Sequence, residues 1–256
     1  NKKIFSNYGI KVIVSDFNSL EILNDKGLLY MHLNSNDIRT PTFRLAKNKN
    51  ELIKAIYELG YPYKKVVMKP RVSNGSRGVR IIDHKIDSLE LLFNQKPGSL
   101  FTNLDNLLSN IKNSSLPPLV LSEFLPGKEL TVDTIIRNGK LSEHLIRTRD
   151  QIRAGISTKG KFINNKKVTS YIKKIIKTFE GLEGPVGFQL KESSEGEYLL
   201  LECNPRIQGS STSAIGLNIN IPLIVINNAL DRKTNFIKKN KDISFSRYYE
   251  NIFYEL

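Results

Sequence analysis

Three polar side chains at every second position end an apolar segment near the C-terminal end of the chain. The segment reads LLLECNPRIQGSS (Leu199–Ser211) and carries Glu202, Asn204 and Arg206. Alternate residues of a β-strand share a face, and Pro205 ends the ladder. Two oxygen ligands on a rigid strand suit a hard cation such as Mg²⁺, and a guanidinium suits a phosphate oxygen. The alternative is a surface strand end with a plain Glu–Arg ion pair, and this segment alone leaves both open.

A second polar group follows the apolar segment VVMKP in VVMKPRVSNGSRGVRII (Val66–Ile82). Lys69 lies near the end of a predicted strand and could reach a phosphate. The loop after it contains Gly75 and Gly78, and small residues allow backbone N–H groups to turn inward around phosphate oxygens. The Gly-Lys-Ser/Thr ending of a Walker loop is missing, and a strand follows instead of a helix. By itself the loop could equally be an ordinary hairpin turn.

The segment LSEFLPGKELTVD (Leu121–Asp133) combines a strand, a Pro-Gly bend and a carboxylate. Backbone exposed at such a hinge can hydrogen-bond the edge of an adenine. Glu129, one strand later, can accept from ribose hydroxyls. The alternative is a plain β-bend with a surface glutamate.

Composition favours an enzyme over a polyanion binder. The chain has 256 residues with 39% hydrophobic and 25% charged, an ordinary globular balance. Its one cysteine and the lack of a long apolar run predict a cytoplasmic protein without disulfides or a membrane span. Cys203 is expected to pack as a small hydrophobe, with a nucleophilic role less favoured. The net charge of +14 raises nucleic-acid binding, but the lysines are spread through every segment and no nucleic-acid motif is present.

Hydrophobic periodicity and turn residues predict an α+β fold with antiparallel hairpins. In the hairpin predicted over Glu129–Thr148, His144 is expected to face Asp133 across the two strands and to form a structural pair with it. The predicted strands are Ile10–Ser15, Lys65–Pro70 and Val79–Ile82, a hairpin over Glu129–Thr148 that turns at Asn138-Gly139, a hairpin over Gly184–Asn204 and a final strand in Ile243–Glu255. One helix is predicted to begin near Asn24. Further predicted helices cover Asn50–Pro62, about 87–94, about 104–112, about 166–180 and much of the stretch up to Asp231. Arg39–Phe43 is predicted to be an extended connector.

Read in order, six blocks resemble the ATP-grasp superfamily, over nearly the whole chain. The blocks are NDK, VVMKPRVSNGSRGVRII, LSEFLPGKELTVD, RTRDQIRAGIS, GPVGFQL and LLLECNPRIQGSS. The chain looks most similar to the ATP-binding half of carbamoyl-phosphate synthetase large subunits, and less so to biotin carboxylase and D-alanine–D-alanine ligase. Its SNGSRG loop has fewer glycines than is usual in the family.

The resemblance implies a role for each matching residue. Phosphates would be bound by Lys26 and Lys69 under a flap formed by Ser73–Gly78, which includes Ser73, Gly75, Ser76 and Gly78. Adenine would contact the hinge at Glu123, Phe124 and Leu125, and ribose would contact Glu129. Mg²⁺, for which Mn²⁺ can substitute, would be held by Gln189, Glu202 and Asn204, with Arg206 on the γ-phosphate. Arg206, Lys69 and Asn204 would thus be catalytic.

The resemblance also implies an activity: ATP-dependent activation of a carboxylate as an acyl phosphate, which an amine or similar nucleophile then attacks. Arg147, Arg149 and Arg153 offer bidentate donors for the substrate carboxylate, unless that segment is simply a basic solvated loop. Partners would be small-molecule carboxylates and amines, with a homodimer as an option and neither nucleic acid nor membrane. The rival hypotheses are a nucleotide-binding regulatory or scaffold module without turnover and a basic nucleic-acid binder.

The resemblance implies an ATP-grasp fold of two α+β subdomains that clasp ATP. Residues 1–18 are expected to be the end of a truncated N-terminal α/β domain, most of which is absent. Residues 19–125 would form the N-terminal subdomain with the flap, and residues 126–256 the C-terminal subdomain with the metal site.

Overall fold

A computed structural model describes residues 2–94, 99–111, 115–153, 155–234 and 242–255. The chain divides into two compact units. The small-sheet unit comprises Glu21–Gly127 and Lys191–Glu202, and the large-sheet unit comprises Asn1–Leu20, Lys128–Leu190 and Cys203–Leu256. The three-part division expected from the resemblance stays a prediction.

Both units contain helices as well as strands. The helices are α1 (Lys2–Asn7), α2 (Phe17–Asn24), α3 (Lys26–Ser35), α4 (Lys49–Glu58), α5 (Ser88–Phe93), α6 (Leu104–Asn110), α7 (Lys166–Lys177) and α8 (Ile221–Ala229), with a 3-10 helix over Ser211–Leu217. The strands are β1 (Phe43–Ala46), β2 (Val66–Pro70), β3 (Arg80–Ile82), β4 (Phe101–Thr102), β5 (Leu119–Glu123), β6 (Glu129–Arg137), β7 (Lys140–Thr148), β8 (Gln151–Arg153), β9 (Ile156–Ile163), β10 (Gly184–Glu192), β11 (Tyr198–Asn204) and β12 (Ser244–Ser246).

The small-sheet unit is built on a five-stranded sheet in the order β1-β5-β2-β3-β4. Neighbouring strands are antiparallel except for β3 and β4, which are parallel. Helix α4 buries Leu52, Ala55 and Ile56, which lie on one face because they are three and four residues apart. These side chains join the sheet residues Val66, Met68, Ile82, Leu119 and Leu121 in one core.

The large-sheet unit contains most of a seven-stranded sheet in the order β11-β10-β6-β7-β9-β12, with β8 paired to β9. The last two residues of β10 and the first five of β11 belong to the small-sheet unit, because the boundaries follow Leu190 and Glu202. Helix α7 buries Val168, Ile172, Ile175 and Ile176. A second core combines Ile135 and Leu145 with residues of the 3-10 helix and α8: Ala214, Leu217, Ile221, Ile224 and Val225.

Most of the predicted elements are confirmed. The hairpin turn has φ of 52° at Asn138 and 68° at Gly139, as the Asn-Gly pair predicts. Cys203 is 6% exposed and packs as a small hydrophobe. The helix predicted over about 104–112 ends at Asn110, and residue 112 lies outside the described residues.

Three sequence-based assignments differ from the structure. Residues 10–15 form no strand, although Ile13 packs against the second core, because the β-branched run has no partner strand in the described chain. The C-terminal strand covers only Ser244–Ser246. The predicted connector Arg39–Phe43 overlaps the first residue of β1, a strand that the sequence did not predict. Because β1 is an edge strand, a proline can precede it without breaking the sheet. The segment Arg147–Ser157 contains β8 and the beginning of β9, which argues against the alternative of a basic solvated loop.

The expected pairing of His144 with Asp133 is also wrong, for a reason of register. Carrying the register of the turn along the hairpin unchanged would place these two residues opposite each other. An irregularity between Ile135 and Ile136 shifts the ladder by one residue, so Asp133 pairs with Leu145 and Thr134 with His144. The His144 ring instead contacts Thr169 Oγ1 through Nε2, at 2.9 Å.

No helix within the described residues is long and apolar enough to cross a membrane.

Candidate functional site

The N-terminus of α3 is fixed by Asp25 of the NDK block and by an arginine from the loop after β2. Asp25 caps the helix and accepts from the backbone N–H groups of Gly27 and Leu28 at 2.8 and 3.1 Å. The same oxygen accepts from Arg71 Nε at 2.8 Å. A Cβ at Gly27 would lie only 2.6 Å from that Nε, so the approach of the arginine requires glycine there. The first helical residue, Lys26, is therefore held in place.

The electrostatics of this cap favour an ionised aspartate. Burial by itself would raise the pKa of Asp25, but the hydrogen bond from Arg71, the N–H groups of the first helical turn and the arginine charge together lower it below its ordinary value of 3.8. The cap therefore keeps its full negative charge at neutral pH, next to the positive end of the helix dipole.

Lys26 brings together three parts of the predicted site. Its ammonium lies 3.4 Å from Glu202 Oε2, the carboxylate predicted to hold the metal. It also donates to the carbonyl of Ser73, at the start of the predicted flap, at 2.9 Å. Lys26 is only 5% exposed, so this cation is held in a poorly hydrated position. All three residues belong to the small-sheet unit.

The predicted flap is an exposed loop between β2 and β3, and Lys69 lies on β2 before it. Gly75, Ser76 and Gly78 have φ of 59°, 59° and 73°, in the left-handed region. Left-handed φ values at these positions allow backbone N–H groups to turn toward an anion. A Cβ at Gly78 would lie 2.6 Å from Pro70 Cγ, so glycine is needed where the loop returns to the sheet.

The predicted adenine hinge follows β5. The Glu123 carboxylate accepts from the backbone N–H of Thr42 at 2.7 Å, so the side chain is bonded to its own unit and the backbone remains the candidate for contacting a base. Phe124 has the ammonium groups of Lys65 and Lys191 at 5.6 and 5.5 Å from its ring centroid. Leu125 is 3% exposed and anchors the end of the hinge.

In the large-sheet unit, the predicted ribose ligand Glu129 opens β6 and pairs with Arg149. The distance from Arg149 Nε to Glu129 Oε1 is 2.8 Å, although the N–H direction makes this an ion pair without a well-aligned hydrogen bond. Arg149 also donates to Thr131 Oγ1 at 3.3 Å and to the carbonyl of Gly155 at 3.0 Å. The carboxylate of Glu129 is thus held in a fixed orientation.

The three arginines predicted to bind a carboxylate differ sharply in exposure. Arg147 is fully buried and paired with Asp133, and the side chain of Arg149 is 4% exposed. Arg153 is exposed, with its guanidinium 5.0 Å from the ring centroid of Tyr249. Of the three, Arg153 alone presents N–H groups to solvent-accessible space.

The predicted metal ligands lie on two neighbouring strands. Gln189 is on β10 and Asn204 ends β11, both in the large-sheet unit, whereas Glu202 belongs to the small-sheet unit. Arg206 is exposed on the loop after β11 and donates to the carbonyl of Ile207 at 3.1 Å. The donor set is one carboxylate and two amides, oxygen ligands that fit Mg²⁺ or Mn²⁺. The described residues contain no cluster of three His, Cys, Asp or Glu side chains that could hold a metal ion, whereas two of the three predicted ligands are amides.

Sequence reasoning missed the residues that support this site. Asp133, Gln208 and Ser210 surround Arg147, and Asp25 with Arg71 holds Lys26. Only Asp25 carried a local signal, since aspartate followed by a helix is typical of an N-cap. The other partners are distant in sequence and depend on register.

A cavity of about 780 Å³ lies elsewhere in the large-sheet unit, between β7, β9 and α7. Its lining includes His144, Phe162, Thr169, Lys173 and Asp242, and none of the predicted site residues. The cavity therefore has no part in the predicted nucleotide site.

Fold comparison finds solved structures that share the architecture of the chain. It matches the N5-carboxyaminoimidazole synthetase of Staphylococcus aureus in complex with ADP, with a TM-score of 0.69, 18% identity, and coverage of 91% of this chain and 58% of that one. It also matches the biotin carboxylase domain of the 2-oxoglutarate carboxylase of Hydrogenobacter thermophilus, in complex with MgADP, ADP and bicarbonate, with a TM-score of 0.65, 17% identity, and coverage of 93% and 52%. At such identities these matches show the fold alone.

Sequence comparison defines the family. Residues 115–250, more than half of the chain, match the family described as ATP-grasp in the biosynthetic pathway with Ter operon, and the chain belongs to that family. The arginine-specific large chain of carbamoyl phosphate synthase from Bacillus subtilis is 24% identical over 210 residues, 77% of this chain and 18% of that protein. The chain thus spans less than a fifth of the length of this curated relative. The ATP-grasp resemblance of the sequence blocks is confirmed.

Proposed function

We propose that the chain is the ATP-binding part of an ATP- and Mg²⁺-dependent ligase that activates a carboxylate for attack by an amine or similar nucleophile. The observation that carries this proposal is the position of Lys26, 3.4 Å from Glu202 Oε2 and 2.9 Å from the Ser73 carbonyl. One buried cation at the N-terminus of α3 thereby contacts both the predicted flap and the predicted metal ligand Glu202.

In the proposed reaction, a carboxylate oxygen of the substrate forms a bond to the γ-phosphorus of ATP, and the bond from that phosphorus to the ADP oxygen breaks. The amine nitrogen then attacks the acyl carbon, phosphate leaves and the nitrogen loses a proton. Lys26, Lys69 and Arg206 neutralise the transferring phosphoryl group and fix its position, so the protein needs no covalent nucleophile. A cation held by Gln189, Glu202 and Asn204 would supply further charge neutralisation at the phosphates.

The exposure of the arginines supports Arg153 as the residue that receives the substrate carboxylate. Its guanidinium lies 5.0 Å from the ring centroid of Tyr249, a cation–π contact that restrains the side chain. An exposed guanidinium can offer two N–H groups to a carboxylate at once. Small carboxylates and amines are therefore the proposed substrates. Assembly as a homodimer belongs to the proposal as well, because one of the matched structures is described as a dimer.

The test is ADP release by the full-length natural protein with a panel of carboxylates and amines. We expect release that depends on one carboxylate and one amine together and that requires Mg²⁺. Asn204→Ala and Arg206→Ala should lower turnover by at least about 100-fold while adenosine binding persists, because both act on the transferring group.

Lys54→Ala, at an exposed position of α4, is the control and should retain the wild-type rate. Wild-type rates in the Asn204 and Arg206 variants would contradict the assigned roles. Tight nucleotide binding without ADP release on any pair of carboxylate and amine would favour a regulatory module that has the fold but does not catalyse the reaction.

A further inference from the structure

Arg147 lies at the centre of a buried polar network in the large-sheet unit. It is 0% exposed, and it donates from Nε to Asp133 Oδ2 at 2.8 Å and from Nη1 to Ser210 Oγ at 2.7 Å. The other oxygen of Asp133 accepts from Gln208 Nε2 at 3.3 Å. Asp133, Gln208 and Ser210 are 8%, 7% and 5% exposed, so the whole network is withdrawn from water.

The network connects the sheet to the loop after β11. Arg147 is opposite Thr131 in the register of β6 and β7, so Asp133 is its diagonal neighbour on the same face. Gln208 and Ser210 belong to the loop that carries Arg206. The loop is thus bound to β6 and β7 within a few residues of the predicted phosphate-binding arginine.

Two further contacts fix the same loop. Gly187 on β10 gives the loop room, since a Cβ there would lie 2.0 Å from Gln208 Nε2. Arg247 donates to the carbonyl of Gly209 at 2.9 Å and to Thr212 Oγ1 at 3.4 Å. Upstream, the backbone N–H of Arg206 donates to the Asn204 carbonyl at 2.7 Å. Arg206 therefore lies between two anchored points.

The energetics of the network point to orientation more than to stability. A buried ion pair loses about as much in desolvation as it gains in attraction, and an apolar replacement is often as stable. Among the described residues, no group accepts from Arg147 Nη2, which adds a further cost. What the paired guanidinium provides, and apolar side chains would not, is a set of directional bonds to the loop.

We propose that Arg147 is a positioning residue, which acts through Asp133, Gln208 and Ser210 to hold Arg206 where it meets the γ-phosphate. This inference rests on the proposed function and assigns Arg147 a role at the end of the nucleotide rather than contact with the substrate carboxylate. It predicts an effect that depends on the γ-phosphate and disappears when Arg206 is removed.

The test compares the affinities for ADP and for the non-hydrolysable ATP analogue AMP-PNP, each with Mg²⁺, by calorimetry on the full-length protein. Arg147→Lys keeps the charge and loses the second donor arm. We expect it to weaken AMP-PNP binding about tenfold, the equivalent of one hydrogen bond, and ADP binding less than twofold. The matched control is Arg137→Lys on the same hairpin, where the arginine forms an exposed ion pair with Asp231. It should change neither the affinity for ADP nor the affinity for AMP-PNP.

Two further variants keep the test decisive. In an Arg206→Ala background, Arg147→Lys should have no additional effect on AMP-PNP, since coupled residues are not additive. The double change Asp133→Leu with Arg147→Met removes both buried charges and should fold. It replaces Arg147→Lys in the test if that variant fails to fold, and it should show the same selective loss of affinity for AMP-PNP. Equal losses for both nucleotides, no loss, or additivity with Arg206→Ala would overturn the positioning role. A wild-type protein that binds neither nucleotide would overturn the proposed function and this inference with it.

Discussion

At the scale of single residues, Lys26 is the position where the predicted chemistry and the observed contacts coincide most closely. Its ammonium is buried beside Glu202 and the Ser73 carbonyl, so it loses little further hydration when it meets an anion. Lys26→Met should weaken binding of ATP by about 10- to 100-fold, the size of a charge-assisted hydrogen bond, and leave adenosine binding nearly unchanged. Titration calorimetry with both ligands measures the difference.

The matched control is Lys54→Met, because the side chain of Lys54 is 77% exposed and pairs with Glu58 on the surface of α4. It should behave like the wild type. Equal losses of ATP and adenosine affinity in Lys26→Met would mean that the residue supports the fold rather than the phosphates.

Asp25 should make the stability of the protein depend on pH in the acid range. Its pKa is lowered in the folded state, so the ionised carboxylate stabilises the fold above the unfolded-state pKa and loses that effect as the pH falls through the folded value. Asp25→Asn should lower the free energy of unfolding by about 1–2 kcal/mol at neutral pH. This difference should shrink below about pH 4.

Urea unfolding across a pH series provides the measurement, with Asp37→Asn at an exposed turn as the control for loss of one charge. A difference between Asp25→Asn and the wild type that stays constant down to pH 2 would show that the carboxylate charge plays no part in the cap.

At the scale of elements, the loop Ser73–Gly78 should close over bound phosphates. It joins β2 to β3, residues 74–78 are exposed, and Ser73 is tied to Lys26. We expect trypsin to cleave after Arg77 readily in the nucleotide-free protein and several-fold more slowly with AMP-PNP and Mg²⁺, because a closed flap withdraws its backbone. Mass spectrometry of timed digests follows this site.

Cleavage after Lys3 in the exposed helix α1 is an internal control for the activity of the protease. Protection of both sites to the same degree would indicate global stabilisation by the ligand. Unchanged cleavage after Arg77 at saturating nucleotide would refute closure of the flap.

The elements also show what a sequence can and cannot predict. Helix α4 follows from apolar spacing and the hairpin turn from Asn138-Gly139, because both signals are local. The pairing of Asp133 with Arg147 could not be predicted, since one irregularity between Ile135 and Ile136 shifts the register and decides which side chains share a face. The β-branched run over residues 10–15 led to a wrong strand prediction for a related reason, because a strand also needs a neighbouring strand to pair with.

The candidate site divides in the same way. The order of the sequence motifs predicted Lys26, Glu202 and Arg206, because the chemistry dictates the residue types at these positions. The support beneath them was not found, because Arg71 and Ser210 are ordinary polar residues whose role appears only once the chain is folded.

At the scale of the whole molecule, the net charge of +14 invites comparison with nucleic-acid binders. Non-specific attraction to phosphates is screened by salt, whereas a nucleotide site built from buried groups is screened much less. Any retention of duplex DNA in gel shifts should therefore vanish near about 0.2 M salt, while nucleotide binding persists. DNA binding that survives such salt without nucleotide or Mg²⁺ would favour the nucleic-acid hypothesis.

The central proposal is that this ATP-grasp chain binds an adenine nucleotide together with Mg²⁺, and that Lys26, Lys69, the hinge at Glu123–Leu125 and Glu202, all in the small-sheet unit, contribute to the binding. The most direct measurement is titration calorimetry of ATP into the folded protein, with Mg²⁺ and then with excess chelator. The account predicts binding that is saturable with Mg²⁺ and weaker with chelator. A folded protein that shows no heat of binding, or the same affinity with and without Mg²⁺, would contradict it.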